Sequence, residues 1–326
     1  MFTPAAKTMA EKLGLKMGRA NLEEFAATLE ELAKANPNII AVTSDSRGSG
    51  KLAPFGKALP KQIVEVGIAE QNLVGITAGL VACGKKAFGV SPSCFLTARA
   101  LEQIKNDVCY SDVPAVLIGI SSGISYGALG TTHHSLHDLA VLRAINNLTL
   151  IVPADNFESR EAIRFAATAT KPVFVRFGKA AMYHLHQPET KFEVGKAITL
   201  RDGNDVAFVV TGETAIHAVL AAAQLAEQGV QARVLSVHTV KPLDTESILK
   251  AGRECSAVIT VEEHMVNGGL GEAVASTLLQ AGVCKSFRIV GIPDEETVPG
   301  AQADIFRHYG ISMEGLTEAA VKLIGK

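Results

Sequence analysis

The sequence predicts an α/β protein with two doubly wound domains, each built on a mostly parallel sheet that helices cover on both faces. Apolar runs of strand length alternate with helical patterns over nearly all of the 326 residues, as in successive βαβ units. Hydrophobic residues make up 48% of the chain and charged residues 20%, which is enough apolar surface for large cores. A polar stretch at 183–193 interrupts the alternation, which then restarts. We therefore expect a first domain at 1–186 and a smaller second domain at 187–326.

The first domain begins with a helical pattern at 21–35, in which Leu22, Phe25 and Leu29 share one face. A short apolar strand at 39–42 follows and ends in a polar loop. Further strands are expected at 63–66, 87–90, 115–120, 148–152 and 173–177. The helices expected between them lie at 69–82, 97–109 and 157–167.

The second domain repeats this alternation on a smaller scale. Its strands are expected at 206–210, 232–237, 257–261 and 286–290, and its helices at 215–228, 270–279 and 317–324. The polar stretch before it contains His184, His186 and Pro188 and is expected to be an interdomain linker.

Charge and composition give no indication of a nucleic-acid-binding, membrane-spanning or secreted protein. The formal charge of −2 gives no reason to expect a nucleic acid or an anionic membrane as partner. No apolar run approaches the roughly 18–20 residues that span a bilayer, and the N-terminus lacks the pattern of a secretory signal. The five cysteines are widely spread and have no C-x-x-C spacing. We therefore expect free, mostly buried thiols in a reducing cytoplasm, and no metal site made by this chain alone.

The most informative position is Glu70, a single acid in an apolar strand-to-helix junction. Residues 63–66 have the composition of a strand, and Leu73, Ile76 and Leu80 have the spacing of the inner face of a helix. Glu70 therefore lies in a first helical turn at the carboxyl end of a strand, where α/β proteins bind ligands. Burial there disfavours the charged carboxylate unless a partner stabilises it. The residue is either a helix start favoured by the dipole or a group that handles a proton.

The residues around Glu70 resemble a known motif. Residues 66–72, Val-Gly-Ile-Ala-Glu-Gln-Asn, followed by Gly75 and Gly79, resemble the pyrimidine-binding segment of transketolases and their thiamine-diphosphate relatives. The resemblance implies thiamine diphosphate as cofactor, with Glu70 sharing a proton with the N1′ atom of its aminopyrimidine and so activating it. Ile68, in the same segment, is a candidate cofactor contact.

The resemblance covers nearly the whole chain. Val-Lys-Pro-Leu-Asp at 240–244, Val-Glu-Glu-His at 261–264, Gly-Gly-Leu-Gly at 268–271 and Gly-Ile-Pro-Asp at 291–294 occur in the order of the family's C-terminal domain. The Gly-Asp-Gly motif of the family's diphosphate-binding domain is absent. The chain is therefore similar to the C-terminal subunit of a split, two-gene transketolase. The resemblance implies an N-terminal partner subunit that carries the diphosphate-binding domain and the ligands of a Mg²⁺ or Ca²⁺ ion, in an assembly of at least α2β2.

Three further candidates follow from the resemblance. Phe95 matches the aromatic residue that stacks on the aminopyrimidine, although a core phenylalanine is the alternative. Asp45 matches an acid near cofactor and substrate, and an Asx turn is its alternative. Ser49 matches a serine that holds a substrate phosphate.

The other substrate candidates are His133, Arg176 and Lys179. His133 matches a histidine that bonds the first hydroxyl groups of the substrate, and Arg176 and Lys179 stand where the family often has Arg-x-x-Arg for an acceptor phosphate. His133 and His137 are four residues apart, so a pair of zinc ligands on a helix is the alternative. His134 and His137 are expected to lie on the surface of a helix start.

One departure from the family bears on the substrate. The family commonly has Gly-Glu-Asp-Gly before its Thr-His pair, and the Asp reads a ketose hydroxyl, whereas this chain has Gly-Ala-Leu-Gly at 127–130. Leu129 cannot accept a hydrogen bond, so we expect ketol transfer from a non-standard ketose to an aldose. The alternatives are the β subunit of a 2-oxo-acid dehydrogenase, deoxyxylulose-phosphate synthase (one long chain), and a non-catalytic subunit that keeps the fold.

Overall fold

The computed structural model describes residues 2–325 and confirms the α/β class, with two large sheets that are mostly parallel. The strands of the first half are β1 (Met17–Ala20), β2 (Ile39–Thr43), β3 (Ile63–Glu65), β4 (Lys86–Pro92), β5 (Val116–Ile120), β6 (Thr149–Ile151), β7 (Val173–Arg176) and β8 (Ala181–Tyr183). The helices of the first half are α1 (Pro4–Lys12), α2 (Asn21–Ala35), α3 (Ala53–Ala58), α4 (Glu70–Ala82), α5 (Ser93–Arg99), α6 (Leu101–Gln103), α7 (Asp138–Ala144) and α8 (Asn156–Thr168).

The second half has fewer elements. Its strands are β9 (Ile198–Arg201), β10 (Val206–Val210), β11 (Ala232–Ser236), β12 (Thr239–Lys241), β13 (Ala257–Met265) and β14 (Ser286–Ile292). Its helices are α9 (Ala215–Ala226), α10 (Thr245–Glu254), α11 (Leu270–Gln280), α12 (Gln302–His308) and α13 (Met313–Ile324). No helix within residues 2–325 is both long and apolar enough to span a membrane.

The first sheet has the strand order β12-β6-β7-β5-β4-β2-β3 and is parallel except for β12. Successive residues of β2 face opposite apolar layers, with Val42 in the layer of α4 and Ala41 in the layer of α2. Because helices cover both faces, the central strands are mostly apolar on both sides.

The second sheet has the order β14-β13-β10-β11-β9 and is parallel except for β9. Phe208 of β10 faces the layer that contains α9 and α13, and Val209 faces the layer of α10 and α11. Each sheet is therefore covered on both faces, which is the doubly wound arrangement predicted from the sequence.

Two segments pack against the opposite half of the chain. Helix α1 places Ala6 and Met9 in the apolar cluster of Ile216, which belongs to the second half. Strand β12, also from the second half, pairs with β6 in the first sheet, where Thr239 lies opposite Ile151. The predicted boundary between 186 and 187 stays a prediction.

The helix expected at 97–109 is wrong in its extent and regularity. Helix α5 already begins at Ser93, the helix breaks at Ala100, and a π-helical segment at Ile104–Tyr110 follows. The buried side chains recur at intervals of four residues, at Leu96, Ala100, Ile104 and Val108. That spacing exceeds the 3.6 residues of an α-helical turn, and the break and the wider π turn keep these residues on the core side.

The linker contains a buried charged group, His186. Residues 184–197 form no helix or strand, but the His186 side chain is only 1% exposed. Its Nδ1 atom lies 2.9 Å from Asp155 Oδ2, and its Nε2 atom lies 3.1 Å from Glu158 Oε1. Burial opposes the charged imidazole, but the bonds to the two carboxylates outweigh it and raise the pKa of His186 to about 10.

This histidine predicts a pH dependence of stability. Because the folded-state pKa of His186 is raised, its contribution to the unfolding free energy is complete below about pH 6.5 and is lost as the pH rises to about 10. The variant His186→Gln should be less stable at pH 7 and should lack this decline. Urea unfolding between pH 6 and 10 measures it, with the exposed His308→Gln as control. A decline of the same size in His186→Gln would contradict the assignment.

Candidate active site

The strand order explains why the candidate residues lie together at one edge of the first sheet. Strands β2, β3, β4, β5 and β7 are parallel, so their carboxyl ends meet at the same edge. The loops and helix starts that follow these strands carry Asp45, Glu70, Phe95, His133 and Lys179.

Glu70 is the first residue of α4 and is only 4% exposed. The Nη1 atom of Arg99, the last residue of α5, lies 3.0 Å from each of its two carboxylate oxygens. The carboxylate therefore has the charged partner that its burial requires, and the N-terminal end of the α4 dipole stabilises it further.

A row of contacts continues from Arg99 along the sheet edge. The guanidinium carbon of Arg99 lies 4.5 Å from the centroid of the Phe95 ring. The rings of Phe95 and His133 meet edge to face at 5.3 Å, and those of His133 and Tyr126 at 5.4 Å. Nζ of Lys179 lies 4.5 Å from the centroid of the Tyr126 ring. We call this set of residues the contact line: Glu70, Arg99, Phe95, His133, Tyr126 and Lys179.

The loop that carries His133 is held by the second half of the chain through His134. The prediction that His134 lies at the surface is wrong, since the residue is 4% exposed. Its Nδ1 atom lies 2.7 Å from the Thr297 hydroxyl, and its Nε2 atom lies 2.9 Å from the Gly127 carbonyl oxygen. Burial lowers the pKa of His134. Both ring nitrogens thus have hydrogen-bond partners inside the protein, which offsets the cost of burying this polar ring.

The zinc alternative for His133 and His137 has no geometric support. Helix α7 begins only at Asp138, so the two histidines do not share a helix face. His137 Nε2 instead lies 3.1 Å from the Thr97 hydroxyl. No cluster of three or more His, Cys, Asp or Glu side chains in residues 2–325 could hold a metal ion.

Gly127→Ala should destabilise the protein more than Gly130→Ala. Both glycines have positive φ, 48° and 70°, so both alanines are strained. A Cβ at Gly127 would lie 2.5 Å from the Gly300 carbonyl oxygen, whereas a Cβ at Gly130 has nothing within 4 Å. We expect both variants to unfold at a lower temperature than the wild type, and Gly127→Ala at the lowest, because its alanine combines the strain of positive φ with a backbone contact that is too close. Thermal unfolding of the two variants measures this, and equal unfolding temperatures would contradict it.

The structure does not bring Arg176 to the surface of the site. The residue is 5% exposed, and its Nε atom donates to Asp138 Oδ2 at 2.8 Å. Its Nη2 atom donates to the carbonyl oxygens of Ser135 and Glu263. The guanidinium is therefore occupied by the protein's own acceptors, and of the predicted pair only Lys179 is exposed.

Asp138 ties the start of α5 to the loop before α7. Besides Arg176, its Oδ2 atom accepts hydrogen bonds from the hydroxyls of Ser93 at 2.7 Å and Ser135 at 2.9 Å. Burial of Asp138 opposes its charge, but Arg176 outweighs this effect and the pKa of Asp138 falls to about 2. One carboxylate oxygen thus fixes the two segments that carry the rings of the contact line.

Three further predicted residues lie in the segments that follow β2 and β3. Asp45 is exposed with φ of 52°, and its backbone N–H donates to Glu65 Oε1 at 2.6 Å. Ile68 is 74% exposed on the approach to α4, and Ser49 is exposed in the loop after β2. Their roles toward cofactor or substrate stay predictions.

Sequence reasoning missed Arg99, Tyr126 and Asp138 as functional candidates. Arg99 could have been found, because it lies four residues after Phe95 and therefore one helical turn away. Tyr126 offered only an aromatic ring in a loop rich in glycine. Asp138 offered no signal, since two of its three partners, Ser93 and Arg176, come from distant parts of the chain.

Two family matches divide the chain in the same order as its two sheets. Residues 19–183 match the family described as transketolase, pyrimidine binding domain. Residues 195–316 match the family described as transketolase, C-terminal domain.

Relatives of similar length carry the same two regions. One of the subunits of the apulose-4-phosphate transketolase of Phocaeicola vulgatus is 46% identical over 93% of this chain and 97% of its own. A 6-deoxy-6-sulfo-D-fructose transketolase subunit of a Clostridium species is 34% identical over 83% of this chain and 87% of its own. A solved split gene transketolase, described as an inactive β4 tetramer, is 33% identical, covers 94% of this chain and 99% of its own, and has a TM-score of 0.84. The chain therefore belongs to the transketolase family, and its length and domain content correspond to the separate subunits of split members.

Proposed function

We propose that this chain is the C-terminal subunit of a two-subunit transketolase and that, with its partner, it transfers a two-carbon ketol unit from a ketose to an aldose. The contact line carries the proposal, because it sets a buried carboxylate, a phenyl ring, a histidine and a lysine in a row at the edge of the sheet. The similarity to one subunit of an apulose-4-phosphate transketolase, over nearly the full length of both chains, supports the two-subunit arrangement.

The contact line fits thiamine diphosphate as cofactor. When bound, the cofactor supplies the carbon nucleophile and the electron sink for cleavage and formation of the carbon–carbon bond. Glu70 would hold a proton between its carboxyl group and the N1′ atom of the aminopyrimidine, and its burial keeps bulk water from that proton. Phe95 offers a flat, apolar face to the ring, and Ile68 and Asp45 would line the same site.

His133 would orient the first hydroxyl groups of the ketose. The hydroxyl of Thr132 lies 2.9 Å from His133 Nδ1, so Nε2 is the nitrogen available to a substrate hydroxyl. Lys179, at the far end of the contact line, would place a positive charge near a substrate phosphate, and Ser49 would donate to it.

The substrate would be a non-standard sugar. Leu129 lies between Tyr126 and His133 in the chain and is 55% exposed, so an apolar side chain stands where a hydroxyl-binding acid is common in the family. Such a site favours a ketose that lacks this hydroxyl or carries it elsewhere. The names of two relatives, one for apulose 4-phosphate and one for 6-deoxy-6-sulfo-D-fructose, support this choice.

The partner would be an N-terminal transketolase subunit. It would carry the diphosphate-binding domain and the ligands of Mg²⁺ or Ca²⁺, because this chain has no Gly-Asp-Gly motif. The active assembly would be an α2β2 heterotetramer in the cytoplasm.

The test is to purify this chain with a subunit that has the Gly-Asp-Gly motif, add thiamine diphosphate and Mg²⁺, and measure turnover of several ketoses. We expect ketol transfer from a branched or modified ketose and slow turnover of xylulose 5-phosphate with ribose 5-phosphate. Rapid turnover of that pair would contradict the proposed substrate class. Turnover of pyruvate with lipoamide would instead identify a 2-oxo-acid dehydrogenase, and absence of all turnover with bound cofactor would identify a non-catalytic subunit.

A further inference from the structure

Arg99 contacts both groups that would hold the aminopyrimidine of the cofactor. Its Nη1 atom donates to both carboxylate oxygens of Glu70 at 3.0 Å, and its guanidinium carbon lies 4.5 Å from the centroid of the Phe95 ring. The planar guanidinium thus bonds the carboxylate of Glu70 and covers a face of the Phe95 ring at the same time.

The helix explains how Arg99 reaches both groups. Phe95 and Arg99 are one turn apart on α5, so their side chains project to the same side. The Arg99 side chain is 49% exposed, whereas that of Glu70 is 4% exposed. The guanidinium therefore covers the carboxylate from the solvent side.

We propose that Arg99 closes the cofactor site of the free enzyme and must leave Glu70 and Phe95 for thiamine diphosphate to bind. This inference rests on the proposed function. A ring that shares a proton with Glu70 and stacks on Phe95 needs the two contacts that Arg99 makes, and two planar groups cannot occupy one aromatic face together. Arg99 neutralises the buried carboxylate while the cofactor is absent. Molecules in which Arg99 contacts Glu70 and Phe95 cannot bind the cofactor, so the apparent affinity falls as the fraction of such molecules rises.

The experiment compares Arg99→Met and Arg99→Lys with the wild type in the purified complex with the partner subunit. Methionine keeps much of the length of the side chain but carries no charge and donates no hydrogen bond. Lysine keeps the charge but lacks the planar fork. Arg164→Met is the matched control, because the Arg164 side chain is 44% exposed and pairs with Glu161 on the surface of α8.

Isothermal titration calorimetry with thiamine diphosphate and Mg²⁺ measures the affinity. We expect Arg99→Met to bind about fivefold more tightly than the wild type, since one half-exposed ion pair and one cation–π contact no longer compete. The cofactor affinity of Arg99→Lys should lie between those of Arg99→Met and the wild type, and that of Arg164→Met should equal the wild-type affinity.

Thermal unfolding gives a second measurement. Without cofactor, Arg99→Met should unfold at a lower temperature, because the buried Glu70 has lost its partner. Addition of cofactor should raise its unfolding temperature by more than that of the wild type. Equal or weaker cofactor binding by Arg99→Met would overturn the role of Arg99 and leave the proposed function intact, whereas absence of binding by the wild type and all variants would overturn both.

Discussion

Glu70→Gln is expected to reduce ketol transfer by the reconstituted enzyme by about 10²- to 10⁴-fold, the usual contribution of a positioned acid or base. Glutamine has the same size and still forms hydrogen bonds, but it cannot exchange a proton with N1′ of the aminopyrimidine. The Glu70 side chain is 4% exposed, so bulk water is poorly placed to replace its proton. The kcat at saturating cofactor measures the effect separately from cofactor affinity.

Glu161→Gln is the matched control for this experiment. Glu161 is 28% exposed and pairs with Arg160 and Arg164 on the surface of α8, so its amide should leave kcat unchanged. Far-ultraviolet circular dichroism of both variants checks that the fold is intact. A kcat for Glu70→Gln within tenfold of the wild type would show that this carboxyl group does not handle the proton.

Asp138→Asn is expected to lower the unfolding free energy by about 3–5 kcal/mol, because it leaves a buried guanidinium without its counter-charge. The side chains of Asp138 and Arg176 are 0% and 5% exposed, and Nε and Oδ2 are 2.8 Å apart. Urea unfolding followed by circular dichroism measures the loss. The surface variant Asp304→Asn is the control, since its pair with Arg307 is more than half exposed and should contribute at most about 1 kcal/mol.

The same pair predicts a dependence of stability on acid. The folded-state pKa of Asp138 is lowered to about 2. Its contribution is therefore complete above about pH 4, the usual pKa of an unfolded aspartate, and is lost as the pH falls to about 2. The wild type should lose stability over this range more steeply than Asp138→Asn. If stability fell equally with pH in the wild type and Asp138→Asn, the pair of Asp138 and Arg176 would contribute little. The same would follow if Asp138→Asn lost no more unfolding free energy than Asp304→Asn.

The regular elements and part of the site followed from local patterns. Strands such as β2 and β10 are short runs of apolar residues, and amphipathic helices such as α2 have apolar residues that recur every 3.6 positions. A few neighbouring residues therefore suffice to recognise either element. The rule that ligands bind at the carboxyl ends of parallel strands then placed Glu70 at such an edge, and the family resemblance added Phe95. The structure brings His133 and Lys179 to the same edge.

Other features depend on contacts between distant segments. Histidine and arginine are residue types that usually lie at the surface or bind ligands. In this fold His134 is instead buried against Thr297, and Arg176 against Asp138. No local pattern could reveal these partners, which are 163 and 38 residues away in the chain. The same holds for β12, whose pairing with β6 in the first sheet depends on how the two halves pack.

The sequence by itself determined the α/β class, the alternation of elements and the strand-to-helix junction at Glu70, because each depends on side chains that are neighbours along the chain. Only the tertiary structure decided which charged groups are paired: Glu70 with Arg99, Arg176 with Asp138, and His186 with Asp155 and Glu158. The physical reason is that a buried charge must be neutralised by whichever group the packed fold brings within hydrogen-bond distance, and that choice is made across the layers of the protein.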